Sequence, residues 1–210
     1  MEFLEKIFGG ASRVKIMRLF LFNPATSFTS SDISSRSKIE GARMRREINF
    51  LVKVALVKKR GNGSGKASWH LNEKFPYLNE FQRLLLQTSL ITPGTIIKKL
   101  SKFGRLKLVI LSGLFKNQSD DSRLDMLVVA DNTKKSVVES VMAAIEAEVG
   151  KEIRYAVLET EDFKYRLGVG DRLVRDVMDY PHEIALDKIG FTPQVSGFNI
   201  QSKVEIQITK

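Results

Sequence analysis

Hydrophobic and polar positions predict the elements of this chain in a definite order. In SRVKIMRLFLFNP, Ile16, Leu19 and Phe20 fall at i, i+3 and i+4, with Val14 and Met17 widening the stripe. The spacing predicts a helix, stopped at Asn23-Pro24 because proline cannot continue the ladder and restricts its predecessor. In SFTSSDISSR, Thr29 followed by Asp32 reads as a capping box opening a short second helix through Ile33. IEGARMRREINFLVKVAL gives a third helix, with Met44, Ile48 and Leu51 facing inward. LVKKRGNGSGKASWHL then reads as a strand, a turn freed by Gly61, Gly63 and Gly65, and a returning strand. Trp69 and Leu71 share one face of that strand and pack on the helices. A helix from about Pro76 carries Phe75, Leu78, Phe81 and Leu85 near one face, and Pro93-Gly94 marks a boundary.

Beyond Pro93 helices and strands alternate. TIIKKLSKF reads as a helix, RLKLVILSG and LDMLVVAD as strands, and SVVESVMAAIEAEVG as an amphipathic helix. EIRYAVLET is a strand, EDFKYRLGVGDRLVRDVM is helical with TEDFKYRL capped at Thr160, and HEIALD is a short strand. Met142 and Met178 are expected in the core, and His182 after Pro181 is structural. The expectation is an α+β chain: a first unit over 1–74, a helical connector over 75–93, a second unit around a small mixed sheet over 94–190, and a polar tail over 191–210.

Composition narrows the function. Hydrophobic residues are 43% and charged residues 28%, which is globular rather than disordered. No apolar run approaches a membrane span, and MEFLEKIFGG lacks the basic start and cleavage site of a signal peptide. There are no cysteines, which excludes disulfides and thiolate metal sites and fits a cytoplasmic location. His70 and His182 are the only histidines, so a histidine-rich metal centre is excluded. Net charge is +10, unevenly spread: residues 1–92 carry a balance of +9 and residues 93–210 only +1. The asymmetry points to a polyanion partner for the first part.

The third predicted helix supplies the chemistry. With Met44 and Ile48 inward, Ala42, Arg46 and Asn49 point outward, flanked by Arg43 and Arg45. Arginine forks onto guanine or grips phosphate, and asparagine pairs with adenine. Ser30 and Ser31 begin the second helix, where hydroxyls and amides can hold phosphate. Lys58, Lys59, Arg60 and Lys66 cluster around the hairpin tip, where His70 is a surface or phosphate-contacting residue. GNGSGKA is not a nucleotide-binding P-loop, because Arg60 and Ala67 replace the required Gly and Ser/Thr.

Over roughly residues 11–72, this order of three helices and a basic hairpin resembles the winged-helix domains of bacterial and archaeal transcription regulators. The resemblance implies that the second and third helices form a helix-turn-helix, that the hairpin is a wing on adjacent backbone, and that a homodimer meets a two-fold operator.

LSGLF…SRLDMLVV followed by an apolar helix resembles a minimal nucleotidyltransferase core of the DNA polymerase beta superfamily. That family places a Gly-Ser pair after one strand, Asp-x-Asp on the next and a third carboxylate on a neighbouring strand, so that Mg²⁺ is held against a triphosphate. Here the pair is inverted as Ser112-Gly113, Asp125 takes the second Asp position, and Arg123 takes the first. Arginine stays charged and cannot ligate a cation, so pairing between Arg123 and Asp125 is expected instead. Asp121 lies roughly 13 Å along an extended strand from Asp125 at ~3.3 Å per residue. Glu159 is the remaining candidate for the third carboxylate.

Across most of residues 11–190, REINFLVKVALVKK, ILSGLF, LDMLVVAD, VGKEIRYAVLETEDFKYRL and DRLVRDVMDYPHEIALDKIG resemble transcription regulators that join a winged helix to a degenerate nucleotidyltransferase-like domain. The expected function is DNA-binding transcription regulation, with double-stranded DNA as partner. The second domain is expected to be a pseudoenzyme without catalytic residues, metal or cofactor, serving a small-molecule or nucleotide effector or dimerisation. The alternative is an active Mg²⁺-dependent nucleotidyltransferase whose DNA-binding domain is autoregulatory.

Overall fold

A computed structural model describes residues 2–61, 67–87, 91–116 and 123–191. The chain is a mixed α+β protein with two small sheets. Its first core gathers α1 (Glu2–Phe8), α2 (Ala11–Leu21), α3 (Ser30–Ser37) and α4 (Gly41–Lys53) against a three-stranded antiparallel sheet. That sheet has the order β1-β3-β2, from β1 (Phe28–Thr29), β2 (Val57–Arg60) and β3 (Ser68–Leu71). The register is set by Phe28 opposite Trp69 and Val57 opposite Leu71. The expected inward residues Met44, Ile48 and Leu51 are buried beside Phe20, Phe28 and Ile33. Phe20 meets the Phe28 ring edge-on at 5.5 Å between centroids, tying α2 to the shortest strand.

The capping box predicted for the second helix is present. The Thr29 hydroxyl accepts from the Asp32 amide at 3.3 Å, and the Asp32 carboxylate accepts from the Thr29 amide at 2.8 Å. The predicted stop at Asn23 does more than end a helix. Its side-chain amide donates to the Leu19 carbonyl at 2.7 Å and to the Gly150 carbonyl at 2.8 Å, bridging to the second half of the chain.

The connector helix α5 (Leu78–Gln87) belongs to the first core through Leu85, and Ile91 already lies in the second core. Phe81 packs on Phe8 of α1, and Gln82 Nε2 donates to the Leu21 carbonyl at 2.8 Å.

The second unit is a four-stranded mixed sheet of order β6-β5-β4-β7. Its strands are β4 (Arg105–Leu111), β5 (Met126–Asp131), β6 (Tyr155–Leu158) and β7 (Glu183–Asp187). Only β5 and β6 run parallel, joined by the crossover helix α7 (Lys135–Val149). One face of the sheet packs on α6 (Pro93–Leu100) and α7, through Ile96, Leu100, Val141, Met142 and Ile145. The other face packs on α8 (Thr160–Gly168) and α9 (Arg172–Met178), through Phe163, Val174 and Val177. With both faces covered, β4 and β5 read as nearly unbroken apolar runs. Met142 is fully buried, as expected, and Met178 packs part-buried against the second face.

One capping prediction changes. Thr160 is the first residue of α8, and Glu159 before it offers no side-chain cap. The cap comes from across the sheet: Asp131 at the end of β5 accepts from the Thr160 amide at 2.9 Å and the Thr160 hydroxyl at 3.0 Å. The tail from 192 onward, Gly63, Gly65 and Lys66 of the hairpin tip, and Asp121 lie outside the described residues.

The two units meet through α2 and α3 on one side and the end of α7 on the other. Arg18 is fully buried there, its Nη1 donating to the Glu148 carbonyl at 3.0 Å. Burial pushes its pKa down, opposed by the nearby carboxylates of Glu148 and Glu5. Lys15 pairs with Glu148 at 2.8 Å, and Arg36 at the end of α3 pairs with Glu152.

Candidate nucleic-acid interface

The orientation of α4 follows from its buried face. Met44, Glu47, Ile48 and Leu51 point inward, so Ala42, Arg46, Asn49 and Lys53 form the outer ridge. Arg43 and Arg45 flank it, and all six outer side chains are exposed. Glu47 is fixed by the Arg13 guanidinium at 2.7 Å, and Arg13 also lies over the Phe50 ring at 3.7 Å from its centroid. This Arg13–Glu47–Phe50 contact ties α4 to α2 and fixes how the outer ridge is presented.

The cations sort into two populations. Three that face other elements are ion-paired: Arg13 with Glu47, Lys15 with Glu148, and Arg36 with Glu152. Arg43, Arg45 and Arg46, with Lys58, Lys59 and Arg60 of β2, are exposed and have no carboxylate within ion-pairing range among the described residues. A tight turn through Ala55, at φ 60, carries the chain from α4 into β2. Ser30 and Ser31 are exposed in the first turn of α3, beside the Thr29–Asp32 box. His70, opposite Lys58 on β3, is part-buried rather than a surface residue, and its Nδ1 is enclosed.

The Asp125 end of the second sheet is built differently from the metal cradle that the sequence resembles. Asp125 is 9% exposed, with both oxygens engaged by backbone. Oδ1 accepts from the Leu114 amide at 2.7 Å, and Oδ2 accepts from the Arg154 amide at 3.0 Å. The Ser112 hydroxyl donates to the Leu124 carbonyl at 2.7 Å. Gly113 sits at φ +47 directly against the Asp125 carboxylate, where a Cβ would collide. Asp125 therefore closes the turn after β4 and holds the start of β6.

The expected Arg123–Asp125 pair does not form. Arg123 lies over the Tyr180 ring at 3.3 Å, and each Asp125 oxygen accepts from a backbone amide instead. Glu159 is also not placed for the third carboxylate. Leu158 is opposite Val129, so Glu159 falls one step beyond, five positions up the sheet from Asp125 and roughly 16 Å away at ~3.3 Å per residue. The position beside Asp125 on the neighbouring strand is Arg154, a cation. Among the described residues no three His, Asp or Glu side chains gather closely enough to share a metal ion.

A polar cleft of about 560 Å³ opens at this end, between the two units. Its walls include Arg36 of α3, Glu146 of α7, and Lys151, Glu152 and Arg154 from the turn that follows. Glu146 accepts from the Ile153 amide at 3.0 Å. Its carboxyl pKa is raised, first by burial and then by Glu152, against the opposing pull of Ile153, Arg36 and Lys38. Sequence reasoning missed this cleft because its walls come from segments more than a hundred residues apart.

No family model, no curated protein and no solved structure matches this chain. No helix among the described residues is long and apolar enough to cross a membrane.

Proposed function

We propose that the protein is a DNA-binding transcription regulator. The first unit acts as a winged helix, with α3 and α4 as the helix-turn-helix and β2–β3 as the wing. One observation carries this reading: Arg13, Lys15 and Arg36, which face other elements, are matched by carboxylates, while the arginine ridge of α4 and the cations of β2 are exposed with no ion pair among the described residues. Uncompensated positive charge is costly to assemble without a polyanion to meet it. Arg46, Asn49 and Arg43 would read base edges in the major groove, with Arg45 on the flank. Lys58, Lys59, Arg60 and Lys66 would hold flanking phosphates, and Ser30 and Ser31 would hold phosphate at the start of α3.

The second unit then serves regulation. The engagement of both Asp125 oxygens by backbone supports a nucleotidyltransferase-like scaffold without transfer chemistry. The cleft beside it is suited to a small-molecule or nucleotide effector, because Arg36 belongs both to its wall and to α3. Pairing of two copies would use the outer face of α1 and the segment entering α5, where Phe3, Ile7 and Tyr77 are 58–62% exposed.

Selection of bound sequences from a random duplex pool, read at two salt concentrations, tests the reading. Enrichment of a two-fold symmetric site, with affinity falling steeply as salt rises, is the expected result. Recovery of an unenriched pool, or binding indifferent to salt, would sink it.

A further inference from the structure

The same separation of paired from unpaired cations exposes a second positive surface, in the half of the chain whose net charge is only +1. On α8 and α9 every cation has a carboxylate partner. Lys164 pairs with Glu161, Arg166 with Asp162 and Asp171, Arg172 with Asp176, and Arg175 with Asp179. That layer is electrostatically closed. The opposite layer and the sheet end beneath it are not. Residues 98–107 contain five cations and no acid. Of these, Lys99 is paired, at 3.8 Å from Glu148. Lys98, Lys102, Arg105 and Lys107 have no ion pair among the described residues.

Topology brings two more cations to the same place. Arg105 pairs in register with Asp131 at the end of β5, and Lys134 follows three residues later at the start of α7. The Lys188 amide donates to the Lys107 carbonyl at 2.8 Å, setting Lys188 beside the start of β4. The acids nearby are fewer than the cations: Glu139 pairs with Lys135, Asp187 accepts from the Ile189 amide, and Asp131 accepts from Thr160 while Lys107 and Arg105 act on it as charges, which leaves the patch with an excess of positive charge. A cleft of about 280 Å³ lined by Lys99, Lys102, Ser136 and Ser140 opens on this side between α6 and α7. The patch lies at the far end of the sheet from Asp125. Arg105 and Lys134 lie at the start of α7, a helix of roughly 22 Å at 1.5 Å per residue, while Lys99 on α6 reaches Glu148 at its other end, beside α2.

We infer that this sheet end is a second docking surface, which holds the phosphate backbone of duplex DNA without reading its sequence. The inference rests on duplex DNA being the partner of α4. Lysines predominate, and a lysine ammonium acts on phosphate as a point charge rather than as a planar fork. Phe103, the aromatic side chain of this segment, is 1% exposed, so there is no platform on which unpaired bases could stack. Helix ends and strand ends hold these cations on rigid supports, which suits a stiff duplex. Serine hydroxyls beside lysines supply the neutral donors that commonly accompany phosphate contacts.

The test uses the full chain and a triple variant, Lys102→Gln/Arg105→Gln/Lys134→Gln, binding a long random-sequence duplex over a salt series. The expected result is a salt dependence shallower by about 2.7 in slope, at ~0.9 for each phosphate no longer neutralised, with the selected sequence unchanged. Lys102→Arg/Lys134→Arg should retain the wild-type slope, and matched unfolding midpoints show that all variants are folded. A wild-type slope in the triple variant overturns the inference, as does a larger loss on duplex RNA or phosphatidylserine vesicles than on DNA. An Arg46→Gln/Asn49→Ala variant separates this inference from the proposed function. If that variant keeps all sequence preference while the triple variant loses slope, the reading of α4 fails and the second surface stands. If the wild type binds no duplex, both fall.

Discussion

Gly150 lies so close against Arg18 that a Cβ built on it would sit 2.6 Å from the Arg18 Cβ. The glycine ends α7 in the left-handed conformation, at φ 84, where a side chain is also strained. One residue thus stops a helix and admits another helix backbone to van der Waals contact. Gly150→Ala should lower stability by about 2–3 kcal/mol, since overpacking against backbone adds to the left-handed penalty. Denaturant unfolding measures this, and a loss below ~1 kcal/mol would mean that the junction yields.

Asp125 pins two backbone amides rather than a cation, and its replacement should show it. Asp125→Asn should destabilise the protein by about 1–3 kcal/mol, because one of two amide donors then faces an NH₂ group. The loss should be the same with Mg²⁺ and with a chelator present. A wild-type melting temperature that rises with Mg²⁺, and an Asp125 variant that does not respond, would contradict it.

Asp131 is held below the ordinary aspartate range chiefly by the Thr160 amide and then by its hydroxyl. A depressed carboxylate contributes stability that is fully present above its unfolded pKa and is lost as pH falls through the folded one. Acid unfolding of Asp131→Asn should therefore be less pH-sensitive than that of the wild type at the acid end. Parallel curves would show that the Thr160 contacts carry no linkage.

Glu146 behaves in the opposite sense. Its raised pKa means that the folded state holds the proton more tightly, so its charge opposes folding at neutral pH and the penalty fades as pH falls through the folded pKa. Glu146→Gln keeps an oxygen for the Ile153 amide and should be more stable than the wild type at neutral pH, with the difference closing on acidification. Unfolding midpoints across pH check the sign.

At the proposed interface, Arg46 and Lys59 should fail differently. Arg46→Ala should relax the choice of one base, at a cost of ~1–3 kcal/mol if the contact is bidentate. Lys59→Ala should weaken all sequences alike and reduce the salt slope by about one. Binding of the two variants to matched and mismatched duplexes separates these effects.

Much of the architecture is legible in the chain because it is local. The stripe through Ile16, Leu19 and Phe20, the Thr29–Asp32 box, and the inward set Met44, Ile48 and Leu51 each depend on spacing within a few turns. The apolar runs of β4 and β5 likewise announce strands covered on both faces. Side-chain period and capping chemistry are enough to say which of these segments are helix or strand, and which side of α4 carries arginine.

The partners of the charges are a property of the folded chain. Arg123 and Asp125 lie two residues apart, but the amides of Leu114 and Arg154 engage the carboxylate, and Arg123 rests on Tyr180. Thr160 reads in sequence as its own cap, yet Asp131 reaches across from another strand to supply it. The balance of +1 beyond residue 93 hides a surface where cations outnumber acids, because a sum over sequence does not record which charges are neighbours. Helix period and strand alternation are set within one segment. Ion pairing, by contrast, is settled by distances between side chains that only folding brings together.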